Sequence, residues 1–415
     1  MLKFLHLADI HLDTTFHCRS ENIRTHLRNA LRSAFERAID CAIGEQVQAV
    51  LIAGDLFDDV QLSFATERFL LSQCQRLHEA AIPCFYVTGN HDPGGSTFRA
   101  NRMEWPPSFH YIRDRTPVAF EITGQNGEVI AKIVGAGHVT KKEQDNLATA
   151  FPVAEGGIPH IGLLHTQVTS AQSVESHDRY APCAVDDLQR TRYHYWALGH
   201  IHVRQQVCDK AQAWYAGNMQ GRNPRETGAK GGLLVTLDGS GAAEVEFRAF
   251  APTQWAALKL DNLEEVHTLH DLEQKARQAF EKALEEHGEA KDWLLRFVLT
   301  GECPLADEIH SGSQQDEIEE DLARELDVLD VEVRAQRLTR PVDVDKHRGE
   351  PHLLGEVLDL IDEAAMDPAL LHDLAPEALA GAPTDEADRE AYLQSLLEGL
   401  NREAVLRMLV EEATS

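Results

Sequence analysis

FYVTGNHD, residues 85–92, poses the question on which the fold of this chain turns. An apolar run, Phe85-Tyr86-Val87, ends in Thr88-Gly89 and is followed at once by Asn90, His91 and Asp92. Short apolar runs bounded by turn residues read as buried strands, so three coordinating side chains stand at a strand's end. The arrangement recurs along the chain. FLHLA (4–8) runs into Asp9-x-His11, AVLIAG (49–54) into Asp55, HIGLL (160–164) into His165, and YWALG (195–199) into His200-x-His202. Amphipathic stretches from about Asn22 to Gly44 and from about Phe64 to Ala80 separate the first three runs, which makes the N-terminal part βαβαβ.

Further strands are expected at VAFEIT (118–123), VIAKIVGAG (129–137), AWYAGN (213–218) and GLLVTLD (232–238). That is too many for one doubly wound sheet, so the expected fold is α/β, two packed sheets flanked by helices. After about Trp255 the texture changes. LKL (258–260), a helix near 264–287, LLRFVLT (294–300), a helix near 314–325 and VLDVEVRA (328–335) make a small α+β unit, followed by a Pro- and charge-rich linker, RPVDVDKHRGEP (340–351). Two amphipathic helices are expected beyond it. One carries Leu353, Leu354, Val357, Leu358 and Ile361, the other Tyr392, Leu396, Leu400, Leu406 and Leu409, with an Ala/Pro-rich connection around 374–384. The expected division is 1–255, 256–340 and 341–415.

A chain of 415 residues, 43% hydrophobic, is long enough for two or three domains with real cores. Its seven cysteines show no CxxC spacing, so neither a disulfide framework nor a zinc ribbon is indicated, and a reducing, cytoplasmic compartment is expected. No signal peptide and no membrane-spanning run is found. Of the net charge of −29, residues 301–415 contribute −21 (30 acidic against 9 basic side chains), leaving −8 for the first 300. This acidity argues against a protein that coats nucleic acid through a broad basic face. It leaves room for one that meets a few phosphates through metals and local arginines.

The side chains at the strand ends are Asp, His and Asn, with no thiolate, a set that suits manganese, magnesium, iron or zinc. Seven ligands are more natural for two metals than for one, with a carboxylate between them. Each motif alone is open to a plainer account: a lone DxH or HxH is a frequent accident, His200 and His202 can cap a strand, and Asn90 suits a turn by tolerating left-handed backbone. Five strand ends delivering such groups to the edge where α/β sheets bind ligands argue for a metal site.

In order, D9-x-H11, G54-D55-x-x-D58, G89-N90-H91-D92, H165 and G199-H200-x-H202 resemble the signature blocks of calcineurin-like metallophosphoesterases over about 200 residues. LADIHLD, GDLFD, TGNHD, LGHIH and AWYAGNMQGR further resemble bacterial DNA repair exonucleases of the SbcD-like, YhaO type. The resemblance implies that Asp9, His11 and His202 hold one metal, that Asn90, His165 and His200 hold the other, and that Asp55 bridges them, with Mn2+ the first expectation for the two ions and Mg2+, Fe2+ or Zn2+ the others. It leaves His91 to protonate the leaving 3′-oxygen or steady the phosphate, with Asp58 as the carboxylate that fixes its tautomer. Archaeal nucleases of the group tend to carry a histidine at that place. Gly89 is expected to let the strand turn sharply enough to aim Asn90 and His91.

Arg222 and Arg225 in GRNPRE, and Arg99 and Arg102 after GNHD, are candidates for phosphate contacts, the alternative being solvated loop arginines. His6, His17, His110 and His138 are expected to be core or surface histidines. The resemblance implies DNA as substrate, dimerisation through the catalytic domain, an α+β cap over the metals, and an SMC-like ATPase docked on the C-terminal helices, although the apolar stripes after 352 equally suit a hairpin folded back on the cap. The chain has no GxxxxGK[ST] loop of its own. A phosphoesterase for a small nucleotide shares every ligand, and a nonenzymatic scaffold is the third class.

Overall fold

The computed structural model describes the chain except for residues 17–19, 59–61, 96–98, 125, 173–179, 239–240, 288–289, 368–369, 371–382, 384, 386–391, 393–394 and 413–415. The connection expected around 374–384 therefore lies, but for Pro383, outside the described residues, as does His17.

Four parallel strands, β1 (Leu2–Leu7), β2 (Ala49–Ala53), β3 (Cys84–Val87) and β4 (Phe109–Ile112), lie side by side. The sheet is extended beyond β1 by antiparallel β11 (Gly231–Leu237) and β12 (Ala243–Ala249). The second sheet has the order β5 (Val118–Thr123), β6 (Val129–Ala136), β7 (His160–His165), β8 (Tyr195–Gly199), β10 (Ala213–Tyr215), β9 (Gln205–Cys208), with β6, β7, β8 and β10 parallel. Helices α1 (Glu21–Gly44) and α2 (Phe64–Glu79) connect the first three strands, and each starts on a serine, Ser20 or Ser63, whose hydroxyl accepts a first-turn amide.

Alternation along β1 shows how the layers are made. Leu5 and Leu7 face α1 and α2 in one apolar cluster, while Leu2 and Phe4 meet Phe85, Ile133, Leu163 and Tyr195 between the two sheets. A third cluster, with Trp196, Leu198 and Phe151, covers the far side of the second sheet beneath α3 (Val185–Arg190). Strands buried on both faces read as continuous apolar runs, which is why they are legible. Three strands not expected from the sequence, β4, β9 and β12, all sit at sheet edges. There the alternation of β12 (AEVEFRA) with its charges replaces an apolar run.

β13 (Thr253–Leu260), β14 (Asp292–Glu302) and β15 (Asp330–Thr339) form a separate three-stranded sheet, with β13 and β14 parallel. Helix α4 (Leu269–His287) lays Phe280 edge-on against Trp293 of β14, and begins five residues later than its periodicity suggests. Short α5 (Ala306–His310) and α6 (Gly312–Glu325) follow. By compactness, residues 1–260, 269–299 and 312–334 group together, and residues 261–268, 300–311 and 335–415 form a second unit.

Within the second unit, α7 (Leu353–Met366) and α8 (Leu400–Glu412) pack on each other through Leu354, Leu358 and Val405. The second helix thus differs from the expected stripe Tyr392–Leu409. Gly399, at φ +77°, breaks it before Leu400, and Val405 rather than Leu406 is the fully buried contact. No helix among the described residues is long and apolar enough to cross a membrane.

Candidate metal centre

Because β1, β2 and β3 are parallel in one sheet and β7 and β8 in the other, the ends that carry Asp9, Asp55, Asn90, His165 and His200 emerge on one edge. Two contacts lock the sheets together there. The Asp9 carboxylate accepts the His200 amide at 3.0 and 3.1 Å, and His165 Nδ1 donates to the Ala53 carbonyl at 2.9 Å. The backbone is bent hard to achieve this: Asp9, His11, Asp55 and His200 have φ of +49°, +52°, +51° and +105°. Non-glycine residues avoid this region, and such strain persists where surrounding structure enforces it, commonly at functional sites.

The side chains converge. His11 Nε2 and His202 Nε2 are 3.3 Å apart, and His202 Nε2 is 3.9 Å from Asp9 Oδ1. Asn90 Oδ1 lies 2.9 Å from His165 Nε2 and 3.1 Å from His200 Nδ1. Between these groups stands Asp55. Its Oδ1 accepts the His91 amide at 2.9 Å, which leaves Oδ2 at 3.7 Å from His11 Nε2 and 3.5 Å from His165 Nε2. Asp9–His11–His202 and Asp9–Asp55–His165 are each close enough to hold an ion, and so is His11–Asp58–His91.

The charges of these groups fit a cation. Burial, with help from the Arg222 guanidinium, pushes His11 down to about 3, and burial lowers His165, so both imidazoles keep a free lone pair at neutral pH. Burial works to raise Asp55 too, but His165, His91 and His11 hold it well below the usual carboxylate range. Asp9 goes the other way, pushed well up by burial and by the Asp55 charge. Buried acceptors with converging lone pairs and two mutually repelling carboxylates are a donor set that a divalent cation satisfies.

His91 stands beside this cluster, edge-on to His11. Its Nδ1 is 2.9 Å from Asp58 Oδ1, and Asp58 also accepts Thr14 Oγ1–H at 2.8 Å and lies 3.5 Å from His11 Nδ1. Burial opposes the imidazolium, but Asp55 and Asp58 outweigh it and push His91 up to about 9. Asp58, although burial favours its acid, is held well below the carboxylate range by the hydrogen bonds of His11 and His91.

Gly89 serves differently from expectation. Its φ is not left-handed, and Asn90 is not either. A Cβ on Gly89 would fall 2.2 Å from Asp55 Oδ1, so glycine is required for the close approach of two strand ends, not for a sharp turn. The loop is aimed instead by Asp92. Asp92 accepts Gly89 N–H at 2.7 Å and Phe57 N–H at 3.1 Å as well as the Tyr86 hydroxyl, which ties the GNHD loop to the GDLF loop.

Of the four arginines, Arg222 is brought in. It is half-buried with Nη1 3.6 Å from Asp58 Oδ1, and its neighbour Glu226 is buried against His202. Arg225 and Arg102 are exposed, and of Arg99 only the backbone is described. His6 is a core residue between Tyr195 Oη and the Leu198 carbonyl, and His138 is buried behind His165, bonded to its carbonyl oxygen.

A buried cluster of Asp, Asn and His at the joined edges of two mixed sheets defines a metallophosphoesterase. The chain belongs to the calcineurin-like phosphoesterase family, whose model matches residues 2–204, and the model of the YhaO metallophosphoesterase middle domain matches residues 255–337. It is 32% identical over 336 residues to the uncharacterized metallophosphoesterase YhaO of Bacillus subtilis (strain 168), covering 77% of this chain and 79% of that one. It is 26% identical over 205 residues to the DNA double-strand break repair protein Mre11 of Sulfurisphaera tokodaii, covering 49% of each. A dimetal phosphatase from Danio rerio aligns in structure at 14% identity and a TM-score of 0.33, over 56% of this chain and 92% of that one.

Proposed function

We propose that this phosphoesterase is a two-metal DNA exonuclease of repair, cytoplasmic, and working with an SMC-like ATPase. The observation that carries the two-metal reading is the place of Asp55 Oδ2, 3.7 Å from His11 Nε2 and 3.5 Å from His165 Nε2. Asp9, His11 and His202 would hold one ion, Asn90, His165 and His200 the other, with Asp55 shared. Divalent cations so held, Mn2+ first among the candidates, would supply Lewis-acid polarisation of a phosphodiester and a more acidic water. His91, kept protonated by Asp58, gives its Nε2 proton to the departing oxygen. Arg222 faces the same space and is suited to a phosphate oxygen.

DNA as substrate is supported by the similarity to the archaeal repair protein. In this reading residues 1–255 are catalytic, 256–340 cap the site, and 341–415 carry the ATPase contact, for which the exposed Leu353 and Met366 of α7 are suited. Dimerisation is part of the same proposal. The test is cleavage of end-labelled duplex DNA by metal-stripped protein resupplied with Mn2+. Mononucleotide release is expected, whereas turnover of bis(p-nitrophenyl) phosphate with DNA left intact would redirect the reading to small phosphoesters.

A further inference from the structure

His202 reaches the cluster through Nε2, and its other nitrogen is held by a residue to which the site chemistry so far gives no part. Nδ1 lies 2.7 Å from Glu226 Oε1. Both groups are buried, with Glu226 1% exposed. The second carboxylate oxygen, Oε2, accepts the Asn218 amide at 2.7 Å and the Arg222 backbone N–H at 2.7 Å. Because a carboxylate only accepts, the short contact makes Nδ1 of His202 a protonated nitrogen and turns Nε2 toward His11 and Asp9.

We propose that Glu226 is a positioning residue that fixes the tautomer and ring orientation of His202 for metal, and that through the Arg222 amide it sets the arginine's place beside Asp58. The proposal rests on the two-metal reading. Three features carry it. Among the described residues, the carboxylate takes its hydrogen bonds from His202, the buried Asn218 amide and the Arg222 backbone. Its loop turns back on itself through Glu226 N–H to the Asn223 carbonyl at 3.0 Å, so the carboxylate is held from its own backbone. Arg222 Nε also lies 3.9 Å from Oε1, on the same oxygen that meets His202. Carboxylates behind ligating histidines raise ligand basicity, and their loss commonly weakens metal affinity by about 10- to 100-fold.

The structure gives this effect a direction. His202 belongs with Asp9 and His11, while Asn90, His165 and His200 have no contact with Glu226 among those described. Only one of the two ions should feel its removal.

The test uses the full chain, stripped of metal and titrated with Mn2+ alone, comparing wild type with Glu226→Ala and the isosteric Glu226→Gln. Wild type is expected to bind two ions. Glu226→Ala should keep one at wild-type affinity and weaken the other by about 10- to 100-fold, with Glu226→Gln between, since its amide oxygen still accepts. In the metal-free state, nitrogen NMR of labelled histidine should show the Nδ1–H tautomer of His202 in wild type and a shift toward Nε2–H in Glu226→Ala. Equal affinities in all three proteins, loss of both ions together, or a wild-type His202 protonated on Nε2 would overturn the proposal. A wild type that binds no Mn2+ would instead overturn the two-metal reading beneath it.

Discussion

Replacing His91 by alanine separates moving a proton from holding a metal. The imidazole stands next to the cluster, its ring edge-on to His11 with centroids 4.8 Å apart, yet its Nδ1 is committed to Asp58 at 2.9 Å. With Nδ1–H donated there, the Nε2 proton remains for the leaving oxygen. Loss of a positioned general acid costs about 10²- to 10⁴-fold in rate, or about 2.7 to 5.4 kcal/mol of barrier at ~1.36 kcal/mol per decade. The loss should depend on the leaving group. A sugar 3′-oxygen departs as a strong base and needs the proton, so DNA cleavage should fall by the full two to four decades. A p-nitrophenolate departs without one, so turnover of bis(p-nitrophenyl) phosphate should fall by about tenfold at most. Asp58→Asn should lie between wild type and His91→Ala on DNA, because the imidazole stays but loses its orienting charge. Metal content, measured on the same samples, should match wild type. The geometry also permits His91 to join His11 and Asp58 around an ion, and the assay distinguishes this. Equal losses on both substrates together with lost metal would make His91 a ligand, and unimpaired DNA cleavage would refute the proton role outright.

Three further outcomes are expected. Asp55→Asn removes charge from the oxygen shared between His11 and His165, so metal content should drop for both ions and activity should fall with it; retention of two tight ions would dissolve the bridge. Gly89→Ala forces a Cβ to within 2.2 Å of Asp55 Oδ1, and overpacking of this kind costs about 1–3 kcal/mol, so thermal unfolding should come earlier and metal affinity should weaken, against an unchanged protein if the strand ends can part. In metal-free protein His91 rises from 6.5 to about 9 on folding, so its charge stabilises the fold fully below about pH 6.5, and the contribution is lost as pH climbs through about 9. Denaturant midpoints should accordingly fall over that window in wild type relative to His91→Ala, and parallel curves would contradict the assigned Asp58 and Asp55 partners.

The set of groups at the site and their order along the chain can be read from the sequence alone. Strands buried on both faces must be apolar throughout, so FLHLA, AVLIA, FYV, HIGLL and YWALG announce themselves, and the polar residue that ends each run marks where the chain leaves the core. Asp9, His11, Asp55, Asn90, His91, His165, His200 and His202 were legible for that reason, and Asp58 through the motif it closes. Edge strands β4, β9 and β12 were not, because one side of an edge is open and its residues need not be apolar. Which of several polar residues on a loop faces the cluster depends on how the sheets are assembled. Arg222 and Arg225 are separated by two residues in GRNPRE, yet one turns in toward Asp58 and the other out to solvent. Glu226 looks like one more surface acid in the sequence, and becomes the partner of His202 because β8 and the loop after β10 are brought together from positions 24 residues apart. Gly89 reads as a turn residue, while its reason is the Asp55 carboxylate that packs where a side chain would be. Periodicity reports which side of an element is buried; contacts between loops depend on where the sheets put their ends, and that information is not local to any stretch of sequence.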